Sequence, residues 1–426
     1  MKKLLGLIIL ILLILYGYLY INKINEKEEK IKFLSIVEEQ EANINNYYIY
    51  GNHFNIEGIL GIDNVSTNNF SLVLKNNDEE IILDCNFEIK ENKLFFYTSD
   101  LINKGINLDT LNQGNYYILI KYTTEEATKY YSLNNNTSDS NLEYYTITKN
   151  NKNNKIDIKF KKDKIDNKNI NYLKLSIKKS KLPNDIYDIA IDPGHGGVDS
   201  GADQKYDGKT YYEKDITLEV ALNLKKELEH LGYKVLLTRE KDKDLDYYNE
   251  IGRATLPNKY HTKLCISIHL NSEDSKMNYG GVEVYTPNDI DYSLSRLLAS
   301  KISEINGFSQ KIHNKIEDGV YFNGFTEESI KKANEENKEK GLKTYDIKVG
   351  TPEMYMIREV GGRITNAYVD GRNDKYGLNP YYNSNQTAES YLIELGYMSY
   401  IDDLKKLIDN KIYSQKISEA IKEFYN

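Results

Sequence analysis

"AIDPGHGGVDSGA", residues 190–202, decides how this 426-residue chain is read. One proline, four glycines, two aspartates and a histidine follow an apolar run, in a chain with only six histidines and six prolines. From here onward strands alternate with helices, the α/β signature. "DIAI", "KVLLTR", "LCISIHL", "GGVEVYT" and "SYLIELGYM" read as strands. "KDITLEVALNLKKELEHLGYK" reads as a helix with Ile216, Val220, Leu224, Leu228 and Leu231 on one face and Gly232 as its C-terminal cap. "YYNEIGRATL" and "YSLSRLLASKISEI" read as further helices, and two more close the chain. The stretch 306–388, rich in Asn, Gly and Tyr, is long for a connection, and segments of that size carry function or structure of their own.

Upstream the texture differs. Residues 45–180 are short alternating runs such as "YYIYGNHFNIEGIL", "FSLVLKN", "NYYILIKYTT" and "YLKLSI", broken by Asn, Asp and Gly. Period-two alternation with frequent turn signals predicts an all-β sandwich-like domain. Its isolated His53 reads as structural, and no catalytic cluster lies in it. "KKSKLPND" at 178–185 marks the boundary to a catalytic domain over 187–426, with an insertion at about 306–388. At the other end, "MKKLLGLIILILLILYGYLYINK" has an uncharged run over 4–22, close to the roughly 20 residues that span a bilayer as a helix. It reads as a single-pass anchor with the rest of the chain extracytoplasmic, a cleaved signal peptide being the alternative, and 23–44 as a charged stalk. A net charge of −8 argues against a nucleic-acid partner. Cys85 and Cys265 sit in separate apolar runs and read as two buried thiols.

Four residues stand out by position. His195 follows the strand "DIAI", Glu213 opens the long helix, His269 ends "CISIHLNS", and Glu394 lies inside the apolar strand "YLIELGY". Open α/β sheets bind ligands beyond the carboxyl ends of their strands. Singly, each has a plain structural reading: a turn histidine, a carboxylate at a helix N-terminus, a core histidine. Glu394 is the hardest to dismiss, because burying an unpaired carboxylate is costly. Together, His, Glu and His suit one catalytic zinc ion with a fourth position left for water, and a second glutamate nearby suits a general base.

"AIDPGHGGVDSGA", "EKDITLEVALNLKKELEHLGYKVLLTR", "CISIHLNS…GGVEVYT" and "IELGYMS", in this order, resemble the zinc-dependent N-acetylmuramoyl-L-alanine amidases. The resemblance covers roughly 187–305 and 386–426 and implies a mixed, mostly parallel twisted sheet flanked by helices, zinc-exopeptidase-like. It implies His195, Glu213 and His269 as zinc ligands, Glu394 as catalytic acid/base, and peptidoglycan as substrate. Arg239, Arg253 and Asn271 match family positions and read as structural or supporting residues. Asp192, Asp199 and Asp215 are candidates to orient the ligand imidazoles. In some relatives an inserted helix occludes the metal until a protein partner displaces it. Here 326–342 has few apolar residues (Ile330, Ala333, Leu342) and reads first as a solvated helix, with a regulatory protein partner as the second reading. A zinc peptidase cutting a stem-peptide bond and a non-catalytic wall-binding scaffold are the competing functions.

Overall fold

The computed structural model describes residues 35–62, 66–91, 93–135, 141–148, 153–165, 168–247, 249–273, 280–344, 346–367 and 379–425, with scattered helical positions before 35. Parts of the expected stalk and of the expected anchor lie outside the described residues; of the anchor, 11–21 is helical with its apolar side chains exposed. Among the described residues, no helix is long and apolar enough to cross a membrane.

The first half is β-rich. One sheet has the order Leu133–Asn134, Ala42–Tyr50, His53–Leu60, Lys93–Tyr97, Asn86–Lys90. The other has the order Asn141–Tyr145, Asn153–Ile165, Lys168–Ser180, Gly114–Thr123, Phe70–Lys75, Glu80–Leu83. Residues of both, including Ile49, Phe54 and Ile56 from the first and Leu74, Ile118 and Leu173 from the second, meet in a single apolar cluster. The alternation that marks these runs as strands is the same alternation that sends every second side chain into this core. Val37 already bridges to Tyr130, so the chain docks on a sheet before the first strand begins at Ala42.

The second half is built on a seven-stranded sheet: Val235–Leu237, Ile189–Pro193, Leu264–Asn271, Glu389–Tyr397, Glu283–Tyr285, Val320–Tyr321, Lys315–Glu317. The first four strands are parallel, and Glu283–Tyr285 runs antiparallel to Glu389–Tyr397. On one face, Ile189, Ile191, Ile266, Ile268 and Ile393 pack against the helices Glu213–His230, Ser293–Asn306 and Lys411–Tyr425. On the other, Ala190, Cys265 and Leu392 pack against the short helix Tyr355–Gly361. The stretch 306–388 therefore supplies two edge strands and a covering layer. Its helix Glu327–Glu339, started by a Thr326–Ser329 capping box, buries only Asn337 and is otherwise a surface element.

Two local expectations change. Where "YYNEIGRATL" predicts a helix, residues 249–255 form bends and turns, and a short helix starts only at its last residue, Leu256–Lys259. Arg253 is drawn inward onto Asp192, and its N–H bonds Asp246 O, which holds the segment in turns until Pro257 starts the helix. Leu231 does not extend the apolar face. The helix ends at His230 because Gly232, at φ +95°, turns the chain away, which leaves Leu231 exposed.

The two halves share hydrogen bonds. Gln386–Thr387 adds to the edge of Ala42–Tyr50, and Arg363 donates to Asn46 Oδ1 and Tyr47 O at 3.0 Å each. Asp188, fully buried, accepts from Thr148 N at 3.2 Å and Lys234 N at 2.8 Å, with Lys263 Nζ at 3.5 Å. Glu389 is also buried at this junction, accepting from Asn103 Nδ2 at 2.8 Å and from the Tyr391 hydroxyl. Burial pushes its carboxyl up to about 7, with the Tyr391 and Asn103 donors and Lys104 opposing and Asp291 adding. Tyr50 and Tyr425 also face it. A folded pKa above the ordinary carboxyl value means that stability is intact below about 4.5 and is lost as pH rises through about 7. Glu389→Gln removes that loss. Its melting temperature should match wild type near pH 4 and exceed it at pH 8, by a stabilisation on the order of 3 kcal/mol. Scanning calorimetry across this range checks the crossover.

Candidate metal centre

The centre forms where the parallel strands end. After Pro193 the chain turns on glycine: Gly196 and Gly197 have φ of +137° and +61°, and His195 itself lies at φ +59°. A histidine in the left-handed region costs on the order of 1–2 kcal/mol, so the surrounding contacts must hold it there. Arg239 does much of this: its guanidinium donates to Pro193 O at 3.2 Å, Gly194 O at 2.8 Å and Lys214 O at 2.8 Å. From outside, Asp242 and Asp244 accept from Gly197 N and Val198 N at 2.7 and 2.8 Å.

Ligand-type atoms of His195, Glu213 and His269 all lie within 4.8 Å of one another. Glu213 Oε1 is 3.1 Å from His195 Nε2 and 3.1 Å from His269 Nδ1, and it also accepts from Leu270 N at 2.9 Å. Its Oε2 accepts from Ala202 N at 2.9 Å. Burial raises the Glu213 pKa, but the two imidazoles outweigh it and hold the carboxyl far below its usual range. The glycines make the approach feasible. A Cβ on Gly194 would lie 2.6 Å from His269 Cε1, and one on Gly201 would lie 2.6 Å from Glu213 Oε2 and from His195 Cδ2. Two imidazoles and a carboxylate at this separation are a fitting donor set for a divalent metal ion, with room for a non-protein ligand.

The supporting residues sort themselves by contact. Asp199 Oδ2 takes His195 Nδ1 at 2.9 Å, which leaves Nε2 turned to the centre. Asp192 touches neither imidazole. It is fully buried and accepts from Arg253 Nε at 2.9 Å and Nη2 at 2.7 Å, Thr238 Oγ1 at 2.7 Å and Ser267 Oγ at 2.8 Å. Burial opposes its ionisation, and Arg253 with the two hydroxyls outweighs that, keeping the carboxyl below its ordinary value. Asp215 lies on the exposed side of the first helical turn, where the helix dipole favours it, and away from the rings. Asn271 donates from Nδ2 to Glu283 Oε2 at 3.3 Å. Removing the acceptor with Asp199→Ala should weaken metal binding about 10- to 100-fold with little change in melting temperature. Competition titration against a chelator measures it.

Glu394 sits beside this cluster, in register with His269 on the neighbouring strand. Its Oε2 is buried and accepts no hydrogen bond among the described residues. Burial, then the Glu213 and Glu283 carboxylates, push its pKa well above the usual range, with Lys311 opposing. Glu283 was not singled out from the sequence, where it is one acid in an apolar strand. The only signal available was the same one that marks Glu394: a carboxylate flanked by apolar residues.

Residues 189–424 match the profile of a protein family described as N-acetylmuramoyl-L-alanine amidase. A "Germination-specific N-acetylmuramoyl-L-alanine amidase" of Bacillus subtilis (strain 168) is 39% identical over 108 residues, which are 23% of this chain and 44% of that protein. A "Probable cell wall amidase LytH" of Staphylococcus epidermidis is 41% identical over 118 residues, 27% of this chain and 36% of that one. The chain thus spans less than half the length of these two relatives. Among solved structures, the amidase AmiC2 of Nostoc punctiforme aligns at 21% identity and a TM-score of 0.35, over 57% of this chain and 98% of that chain.

Proposed function

This chain belongs to the N-acetylmuramoyl-L-alanine amidase family, and on that premise we propose that it hydrolyses the amide joining the lactyl group of N-acetylmuramic acid to L-alanine in peptidoglycan. The observation that carries the reading is the meeting of His195, Glu213 and His269 beside the unpartnered carboxylate of Glu394. One zinc ion is the cofactor, held by those two histidines and Glu213. When bound, zinc supplies Lewis acidity and brings the pKa of a coordinated water toward ~7.

The chain's own residues do the rest. Glu394 takes the proton of the attacking water and returns it to the departing L-alanine amine. Its buried Oε2 has no competing partner among the described residues, which leaves it free to accept that proton. Asp199 keeps the His195 ring in one tautomer and one orientation, and Arg239 fixes the loop that carries it. His195 and His269 each keep part of the ring exposed at the strand ends, which is where a substrate would reach the centre.

A wall substrate places the catalytic half outside the cytoplasm. The anchor over 4–22 completes this proposal, supported by its uncharged apolar run. The β-rich 45–180 is read as an accessory module seated at the base of the catalytic sheet, supported by the Arg363, Asp188 and Glu389 contacts. Metal analysis with product mapping tests the function. Purified protein should carry one zinc per chain and release glycan with free lactyl carboxylates and peptides with free N-terminal L-alanine. Cleavage between two amino acids of the stem would overturn the assignment.

A further inference from the structure

One rung of the central sheet crosses three strands: His269 is in register with Glu394, and Glu394 with Glu283 on its other side. Directly opposed residues project to the same face with Cβ atoms about 4.5–5.5 Å apart. Glu394 therefore stands between a ligand histidine and a second carboxylate.

The two glutamates are held very differently. Glu283 is fully buried. Its Oε1 accepts from the Ser309 hydroxyl at 2.6 Å and from the Tyr397 hydroxyl. Its Oε2 accepts from the Tyr285 hydroxyl at 2.7 Å, Asn271 Nδ2 at 3.3 Å and Lys311 Nζ at 3.5 Å. These donors arrive from separate segments. A register shift after His269 places Tyr397 opposite Asn271, which brings its hydroxyl onto the face shared with Glu283. Glu394 has no such clamp, since its buried Oε2 lacks any partner among the described residues. Glu283, fixed by five donors, fills its end of the rung and has no hydrogen left to offer its neighbour. The free Glu394 side chain is left to the other end of the rung, where His269, His195 and Glu213 meet.

We propose that Glu283, locked by Tyr285, Ser309, Tyr397, Asn271 and Lys311, is the positioning residue that aims the Glu394 carboxylate at the reacting water. This rests on the amidase reading, and it gives the 306–388 stretch a part in the reaction, because Ser309 and Lys311 belong to it.

The test uses the full zinc-loaded chain. Glu283→Gln should lower kcat about 10- to 100-fold, the cost of a slightly misplaced catalytic group, with KM and zinc content at wild-type values. In a Glu394→Gln background the same change should cost nothing further, since Glu283 acts only through Glu394. Tyr285→Phe keeps both carboxylates and removes one donor. It serves if Glu283→Gln does not fold, and it should lower kcat in the same direction with KM unchanged. A folded variant with wild-type kcat would overturn the proposal, as would losses that add in the double variant. Absence of turnover in the wild-type protein would instead strike the amidase reading, which keeps the two failures distinct.

Discussion

Glu394→Gln is expected to retain zinc and fold while losing hydrolysis of the muramoyl amide by about 10²- to 10⁴-fold, the usual share of a general acid–base group. The substitution keeps shape and volume and removes only the ability to carry a proton. It also forfeits no hydrogen bond at Oε2, which has no partner among the described residues. The amide keeps the side chain neutral where burial already favours the neutral form, so the melting temperature should hold. Three readings on one preparation check this: zinc content, melting temperature and kcat on defined muropeptides. Full activity in a zinc-loaded variant would remove Glu394 from the mechanism.

The largest expected loss of stability comes from Arg253→Met. Asp192 is fully buried and, among the described residues, its one direct ion pair is with Arg253, made through two guanidinium nitrogens. Without Arg253 the carboxylate keeps Thr238 and Ser267 but loses its counter-charge. Breaking one side of a buried pair costs about 3–5 kcal/mol. For a catalytic unit of this size the melting temperature should fall on the order of 10 °C. The double variant Asp192→Asn, Arg253→Met removes the stranded charge and should recover part of that loss. Thermal denaturation of the two variants, side by side, decides it. A single variant as stable as wild type would show that Asp192 is compensated by other groups.

How far this protein can be read from its sequence depends on the range of the interaction that places each residue. The strands and most helices of the catalytic half are legible because local periodicity and burial agree: Ile216, Val220, Leu224 and Leu228 repeat at helical spacing and all four pack on the sheet. "YYNEIGRATL" misleads because a distant carboxylate, Asp192, takes Arg253 and overrides local helix preference. The proposed ligand residues are legible only as a set: each alone has a plain structural reading, and their shared place at strand ends and a helix start sets them apart.

Sequence alone therefore determined the α/β class of the catalytic half and the β-rich class of the half before it, both of which depend on composition and spacing along the chain. It pointed to the set His195, Glu213, His269 and Glu394 through the motifs that carry the family resemblance. Only the tertiary structure decided which aspartate serves which partner, because Asp192, Asp199 and Asp215 are alike in sequence and differ in what cross-strand packing brings to them. It alone seated the β-rich half against Glu389 and Asp188, and it alone set Glu283 beside Glu394. Those neighbours are tens to hundreds of residues apart, and only strand register, a property of the folded sheet, makes them adjacent.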